Sequence, residues 1–333
     1  MTVFGAQPSG ITRSPPKLHT PQDTAVGQLG RLAKRALLIA GPTASGKSAV
    51  ALRLAEEFGA AIVNADSMQV YSDLRILTAR PTPEDEGRAR HRLFGEIEGA
   101  VNYSVGLWSR RAREVLAELG EAPAIFVGGT GLYFRALTEG LSDMAEVPDA
   151  VRAGIREKAA GRAASELHAE LAAQDPETAA RLRPSDRQRI LRALEVFAAT
   201  GRPLASFQGA REPPALGAGE WAGVFLAPDR ETLYRRIDAR FDAMLAEGAL
   251  DEVAALAERR LDPTLPVMRA HGVPHLIAHI ERGLPLMEAA ARSKLETRHY
   301  AKRQFTWARH QLKGFEWVAP EAAPDTGKRA LAG

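Results

Sequence analysis

Short, continuous apolar runs alternate with amphipathic stretches through the first part of the chain. Ala36-Leu37-Leu38-Ile39-Ala40 has the length and unbroken apolar character of a strand buried on both faces. After a short loop, Ala49 to Phe58 is rich in helix formers, with Val50, Leu54 and Phe58 spaced along one face. Ala60 to Ala65 repeats the strand pattern, and a helix over 105–119 leads into a third apolar run, Ala124-Ile125-Phe126-Val127. Strands joined through helices predict an α/β protein built on a parallel sheet.

From about Leu141 the pattern changes to alanine-rich helical stretches without strands. Pro148 opens a helix over Asp149 to Ile155. Ser185 and Asp186 can cap another over Arg187 to Phe197, with Ile190, Leu194 and Phe197 on its apolar face and Arg189 and Arg192 on its polar side. Gly201-Arg202-Pro203 ends it. Trp221 to Leu226 returns to a strand, followed by a helix around Leu233 to Leu245. A last long helix carries Arg292, Lys294, Arg298, Lys302, Arg303, Arg309 and Lys313 interleaved with Tyr300, Phe305 and Trp307. Basic residues with aromatics at helical spacing suit an RNA loop, and the aromatics are expected mainly in the core.

The loop between the first strand and its helix is Gly41-Pro42-Thr43-Ala44-Ser45-Gly46-Lys47-Ser48. Strand, glycine loop and helix in that order are the context in which G-x-x-x-x-G-K-[S/T] binds phosphate. The glycines let consecutive N–H groups curl toward one anion, and the helix N-terminus adds its own unpaired donors. Lys47 brings a full positive charge, and the Ser48 hydroxyl can ligate Mg²⁺. The fold expected is therefore a P-loop NTPase-like parallel sheet flanked by helices at 34–140 and 216–318, with an all-helical insertion at 141–215. Residues 1–33, rich in Pro, Gly, Thr and Gln, read as a disordered extension, and 319–333 as a flexible tail.

Composition narrows the chemistry. The chain has 333 residues, 45% hydrophobic and 26% charged, ordinary for a globular protein. It has no cysteine, which excludes disulfides, cysteine-ligated zinc and thiol catalysis. No apolar run approaches the roughly 20 residues of a membrane span, and a cytoplasmic location is expected. Arg13 and Lys17 faintly suggest a transit peptide, but Pro8, Pro15, Pro16 and Pro21 oppose its helix. The net charge of +3 is modest, so nucleic-acid binding must rest on local clusters of arginine and lysine.

Three positions carry further chemistry. Asp66 stands at the end of the second strand, where α/β sheets place functional groups, although an Asp-Ser pair also caps turns. The third strand ends in Gly128-Gly129-Thr130-Gly131, where NTPases carry an acidic residue that organises Mg²⁺ and water. N–H and hydroxyl donors there suit a departing anion better than water activation, while a plain glycine turn is the alternative. His271 and His275 lack a third ligand nearby and read as surface or core residues.

Blocks throughout the chain resemble the tRNA dimethylallyltransferases, also called tRNA isopentenyltransferases. They are GPTASGKS at 41–48, NADSMQVY at 64–71, TARP at 78–81, GGTGLYFRAL at 128–137, RPSDRQRILRALEV at 183–196 and TRHYAKRQFTW at 297–307. The resemblance implies transfer of the dimethylallyl group from dimethylallyl diphosphate to N6 of an adenine next to the anticodon of tRNA. It implies that Gly41, Pro42, Thr43, Ala44, Ser45, Gly46, Lys47 and Ser48 hold the diphosphate with Mg²⁺ on Ser48, and that Arg240 is a second contact. Asp66 would be the general base, and Thr130 would donate to the bridging oxygen. Contacts to tRNA would come from Asp66, Ser67, Met68, Gln69, Thr130, Arg152, Gln188, Arg189, Ile190, Leu191, Arg192, Lys302 and Arg303. The family often has Ile-Gly-Tyr where this chain has His271-Gly272-Val273-Pro274. A monomer without membrane association is expected. A free-adenylate prenyltransferase, a P-loop small-molecule kinase and a non-catalytic RNA-binding protein are the alternatives.

Overall fold

The computed structural model describes residues 1–2, 34–142, 144, 146–207, 209 and 211–332. The extension expected over 1–33 therefore lies, apart from its first two residues, outside the described chain. The first strand, β1 (Ala36–Ala40), is buried at every residue. From it the chain runs through α1 (Lys47–Phe58), β2 (Ala61–Asn64), α2 (Pro83–Arg88), β3 (His91–Arg92), α3 (Val105–Leu119), β4 (Ala124–Gly128) and α4 (Gly131–Glu139). Four helices follow: α5 (Asp149–Ala159), α6 (Ala164–Gln174), α7 (Pro176–Arg181) and α8 (Arg187–Thr200). The chain re-enters the sheet as β5 (Trp221–Leu226). It continues through α9 (Arg230–Ala246), α10 (Ala249–Glu258), α11 (Val273–Arg282), α12 (Leu286–Gln311), β6 (Phe315–Val318) and α13 (Ala323–Ala332).

The strands pair in the order β3-β2-β4-β1-β5-β6, and every pair is parallel. Alternate residues of β1 face opposite layers. Leu38 packs in the cluster containing Trp108, Phe126 and Phe134, while Leu37 and Ile39 pack against Leu54 of α1 and Leu331 of α13. Each such aliphatic side chain contributes about 1.5–3 kcal/mol on full burial. Because the strands are parallel, the loops after β1, β2 and β4 all leave the same edge of the sheet. The chain winds to opposite sides of β1, and the crevice where strand order reverses is where such sheets bind ligands.

Two strands escape the apolar-run pattern. β3 has only two residues, both half-buried, and β6 alternates Phe315-Glu316-Trp317-Val318 at the sheet edge. Gly223 faces Phe315 across the β5–β6 pair, and a Cβ there would meet the ring at 2.7 Å.

The helical segment has its own apolar centre, formed by Leu167, Leu171, Ile190 and Leu194. Buried Asp175 ties one corner, accepting from the backbone N–H of Thr178 and Leu204 at 3.0 Å each. Asp186 caps α8 through the Arg189 N–H at 3.2 Å, as the sequence suggests. Phe197, expected on the apolar face of α8, is only half-buried.

The tail expected to be flexible over 319–333 instead contains a packed helix, α13, over Ala323–Ala332. Ala323 and Leu331 are buried, and α13 lies across the outer face of α1 and the sheet. Its amphipathic character is hidden in a short segment containing Pro324 and Gly327. That glycine is required by packing: a Cβ would meet Leu54 at 2.4 Å and Leu37 at 3.2 Å. Gly327→Val should therefore destabilise the fold by about 1–3 kcal/mol through overpacking. A lowered urea midpoint would register it; an unchanged midpoint would detach α13 from the sheet.

Candidate active site

The loop after β1 turns through left-handed backbone at Ala44 (φ 61) and Gly46 (φ 91) before α1 begins. Ser45 is fully buried, and its N–H donates to the Pro42 carbonyl at 3.3 Å. Ser48 is exposed at the first turn of α1. Lys47 reaches back to the Pro42 carbonyl at 3.2 Å, so its ammonium hangs over the loop. Loss of water lowers its pKa to about 8; the charge of Asp66 opposes this shift and that of Arg240 adds to it.

Asp66 is set by the buried Asn64 at the end of β2. The Asn64 amide donates to the carbonyls of Asp66 and Leu93, both at 3.0 Å, and its oxygen accepts from the Asp66 N–H at 2.7 Å. The Asp66 carboxylate accepts from the Met68 N–H at 3.0 Å, and Ser67 N–H donates to the Thr130 hydroxyl at 2.9 Å. The loops after β2 and β4 therefore touch. A Cβ on Gly128 would strike the Ala65 carbonyl at 2.0 Å, so this glycine answers to close approach of two strand ends as well as to any ligand.

A residue with no sequence signal of its own joins the loops after β1 and β4. The Gln304 side chain on α12 accepts from Thr43 N–H at 3.1 Å and donates to the Gly129 carbonyl at 2.9 Å. It is buried and spans 261 residues of sequence to Thr43, which is why no local pattern reveals it.

Two cavities open at this edge. One, of about 200 Å³, is lined by Thr43, Ala44, Asp66, Met68, Arg240 and His271 among others. The second, of about 240 Å³, is mainly apolar and is lined by Gly41, Thr130, Phe134, Phe225, Arg303 and Trp307 among others. Tyr300 lines both. Burial pushes its phenol well above the ordinary tyrosine range, and the charge of Asp66 adds to the shift. Tyr300 and Trp307, expected in the core, are cavity walls. Burial lowers the Arg240 pKa against the pull of Asp66. Arg240 has no hydrogen-bond or ion-pair partner among the described residues, leaving its guanidinium available to a ligand.

The remaining candidates divide. Gln69 is turned to the protein, donating to the carbonyls of Thr78 at 2.8 Å and Ala79 at 2.9 Å. Arg152, Arg156 and Arg192 surround the buried Glu195 at 4.0, 3.2 and 3.9 Å. Gln188 and Arg189 are exposed and Leu191 is half-buried. The Ile190 side chain is fully buried in the helical core, which removes it from any RNA-facing surface. Lys302 and Arg303 are exposed on α12. The first half of that helix is not a free basic face, because Arg292 pairs with Glu288, Lys294 with Asp242 and Arg298 with Asp238. Lys313 lies beyond the end of the helix. His271, read from sequence as a surface or core residue, lines the first cavity.

Glu252 was also invisible to sequence patterns. Its carboxylate accepts from the N–H groups of Arg75, Ile76 at 2.9 Å and Leu77 at 2.9 Å, fixing the loop that brings Leu77 and Thr78 to the first cavity.

A phosphate loop opposite a carboxylate, an unpaired arginine and an adjoining apolar chamber describes a group-transfer enzyme of the P-loop class. The IPP transferase family model matches residues 69–311, and the isopentenyl transferase model matches 34–98. The tRNA dimethylallyltransferase of Methylocella silvestris is 64% identical over 290 residues, covering 86% of this chain and 96% of its own. The structure of a tRNA delta(2)-isopentenylpyrophosphate transferase from Staphylococcus epidermidis superposes with TM-score 0.61 at 29% identity, covering 89% of this chain and 98% of that one. A tRNA isopentenylpyrophosphate transferase from Bacillus halodurans gives TM-score 0.63 at 27% identity, covering 90% and 97%. This chain belongs to the tRNA dimethylallyltransferase (tRNA isopentenyltransferase) family.

Gln304→Leu would leave the half-buried Thr43 N–H and Gly129 carbonyl without their side-chain partner. The expected cost is about 1–3 kcal/mol, with faster amide exchange at Thr43. Unchanged exchange there would mean that Gln304 does not hold the loop.

Proposed function

We propose that this protein transfers the dimethylallyl group from dimethylallyl diphosphate to N6 of an adenine next to the anticodon of tRNA. The observation that carries the reading is the convergence of Asp66 and Arg240 in one cavity beside the phosphate loop, with Thr130 opening onto the apolar chamber next to it.

The C1–oxygen bond of the allyl diphosphate breaks and its electron pair leaves with the diphosphate. The N6 lone pair forms the new carbon–nitrogen bond, and an N6 proton passes to Asp66. Adenine N6 is a weak nucleophile because its lone pair is delocalised into the ring, so alignment and a positioned carboxylate carry much of the rate. N–H groups of the 41–48 loop, Lys47 and Arg240 stabilise the departing diphosphate, and Thr130 donates to its bridging oxygen. The target base must leave its loop and enter the cavity toward Asp66. Ser67, Met68, Arg152, Gln188, Arg189, Arg192, Lys302 and Arg303 are the proposed contacts to the rest of the RNA.

Among the described residues no cluster of three acidic or histidine side chains could hold a metal by itself. The exposed Ser48 hydroxyl fits Mg²⁺ arriving with the diphosphate, since this ion keeps several waters and takes substrate oxygens. Mg²⁺ so held would neutralise charge on the leaving group. No helix among the described residues is long and apolar enough to cross a membrane. The chain is proposed to work as a cytoplasmic monomer.

Radiolabelled dimethylallyl diphosphate offered with Mg²⁺ to unmodified tRNA and to AMP in parallel, without ATP, should label tRNA alone. Label in AMP would move the assignment to a free-adenylate prenyltransferase. Asp66→Ala should lower turnover by about 10²–10⁴-fold with tRNA affinity retained, and wild-type turnover would exclude the base role.

Lys47 generates a pH dependence of definite sign. Its folded-state pKa lies at about 8, so the free protein loses this ammonium as pH rises through that value. The diphosphate attracts only the charged form. The KM for dimethylallyl diphosphate should be level below about pH 8 and rise by up to about tenfold per pH unit above it. A KM independent of pH across that range would place Lys47 away from the diphosphate.

A further inference from the structure

His271, Glu296 and His275 form a ladder of titratable groups that begins in the Asp66 cavity and runs along the seam between α11 and α12. His271 Nδ1 lies 3.6 Å from one Glu296 oxygen, and His275 Nε2 lies 3.5 Å from the other. His271 Nδ1 and Glu296 Oε2 are both buried without a hydrogen-bond partner. Such atoms are costly to leave unmet. A proton on His271 Nδ1 and another on His275 Nε2 would each face a Glu296 oxygen.

We propose that this ladder is the proton exit for the transfer reaction, taking from Asp66 the proton that Asp66 accepts from adenine N6. The proposal rests on the reading of Asp66 as general base. A base seated in the cavity mouth separates Asp66 from bulk water, yet Asp66 must be ionised again before the next turnover. In the tautomer whose Nδ1–H faces Glu296, Nε2 is the bare His271 nitrogen. The proton passes from the Asp66 carboxyl to His271 Nε2, while His271 Nδ1–H is given to Glu296. From Glu296 it passes to His275 Nε2 and then to water. Each group gains one proton and loses one; His271 is left as the Nε2–H tautomer and returns to Nδ1–H by exchange with water, and nothing is oxidised or reduced.

The environment of His271 supports this use. Its ring lies against Tyr300 with centroids 4.4 Å apart. The charged and titratable groups around it are Glu296, Tyr300 and Arg303 on α12, Asp66 after β2, Arg240 on α9, and Arg269 two residues before it. Burial holds His271 below the ordinary histidine range, opposed by Glu296 and Asp66 and reinforced by Arg303. It is thus neutral at pH 7 and able to accept a proton.

The test compares single-turnover and steady-state transfer to tRNA for wild type, His271→Ala, Glu296→Gln and Asp66→Asn. The first turnover needs only the N6 proton to reach Asp66; later turnovers need Asp66 to be reset. His271→Ala and Glu296→Gln should give a near-normal first turnover followed by a steady state slowed about tenfold or more. Free imidazole should restore the His271→Ala steady state in proportion to its concentration, which a packing defect would not allow. If His271→Ala fails to fold, the near-isosteric Glu296→Gln decides. Both variants cycling within twofold of wild type, or a slow phase indifferent to imidazole, would overturn the relay. Asp66→Asn retaining its first turnover would instead sink the base reading on which the relay depends.

Discussion

The arrangement depends on a single amide. Gln304 uses both ends of its side chain to hold the Thr43 N–H of the phosphate loop and the Gly129 carbonyl of the loop after β4. Because the oxygen must accept and the nitrogen must donate, only one orientation satisfies both partners. The two loops leave neighbouring parallel strands, whose spacing the sheet ladder fixes. Loop ends beyond a ladder have no such constraint of their own, and an amide from a distant helix supplies it. Glu252 does the same for the loop over 75–77, and Asn64 for the turn at Asp66. Three side chains thus convert a rigid sheet edge into rigid loops.

Electrostatics then follows from what those loops enclose. Burial weakens the charged form of both Lys47 and Arg240, and the charge of Asp66 opposes that shift in each. An incoming polyanion would relieve this: it supplies the negative charge that two partly desolvated cations lack.

Much of this was legible in the chain. Continuous apolar runs marked β1, β2, β4 and β5, because central parallel strands admit no polar face. The turn over Gly41–Ser48 between β1 and α1 was readable because its glycines and the flanking strand and helix patterns are local, encoded within a few consecutive residues. Edge strands β3 and β6 were not, since β3 is only two residues long and β6 carries exposed Glu316 and Trp317 in place of a continuous apolar run. Nor was α13, whose helical face is diluted by proline and glycine that packing requires. Gln304, Glu252, Tyr300 and His271 belong to another category: their roles arise from tertiary contacts, which for Glu252 reach across 176 residues of sequence and for Gln304 across 261. Ile190 shows the opposite error, since a run of adjacent helical residues cannot all face one surface when the helix repeats every 3.6 residues.

Helix α12 has a mechanical consequence. Its 26 residues form one rod of about 39 Å. Along that rod lie Glu296, the cavity wall Tyr300, the exposed pair Lys302 and Arg303, and Gln304 within a single residue of that pair. A stiff helix cannot move one of these without carrying its neighbours. Any displacement of the exposed pair is therefore shared with Gln304, and through it with the Thr43 and Gly129 backbone on two separate loops.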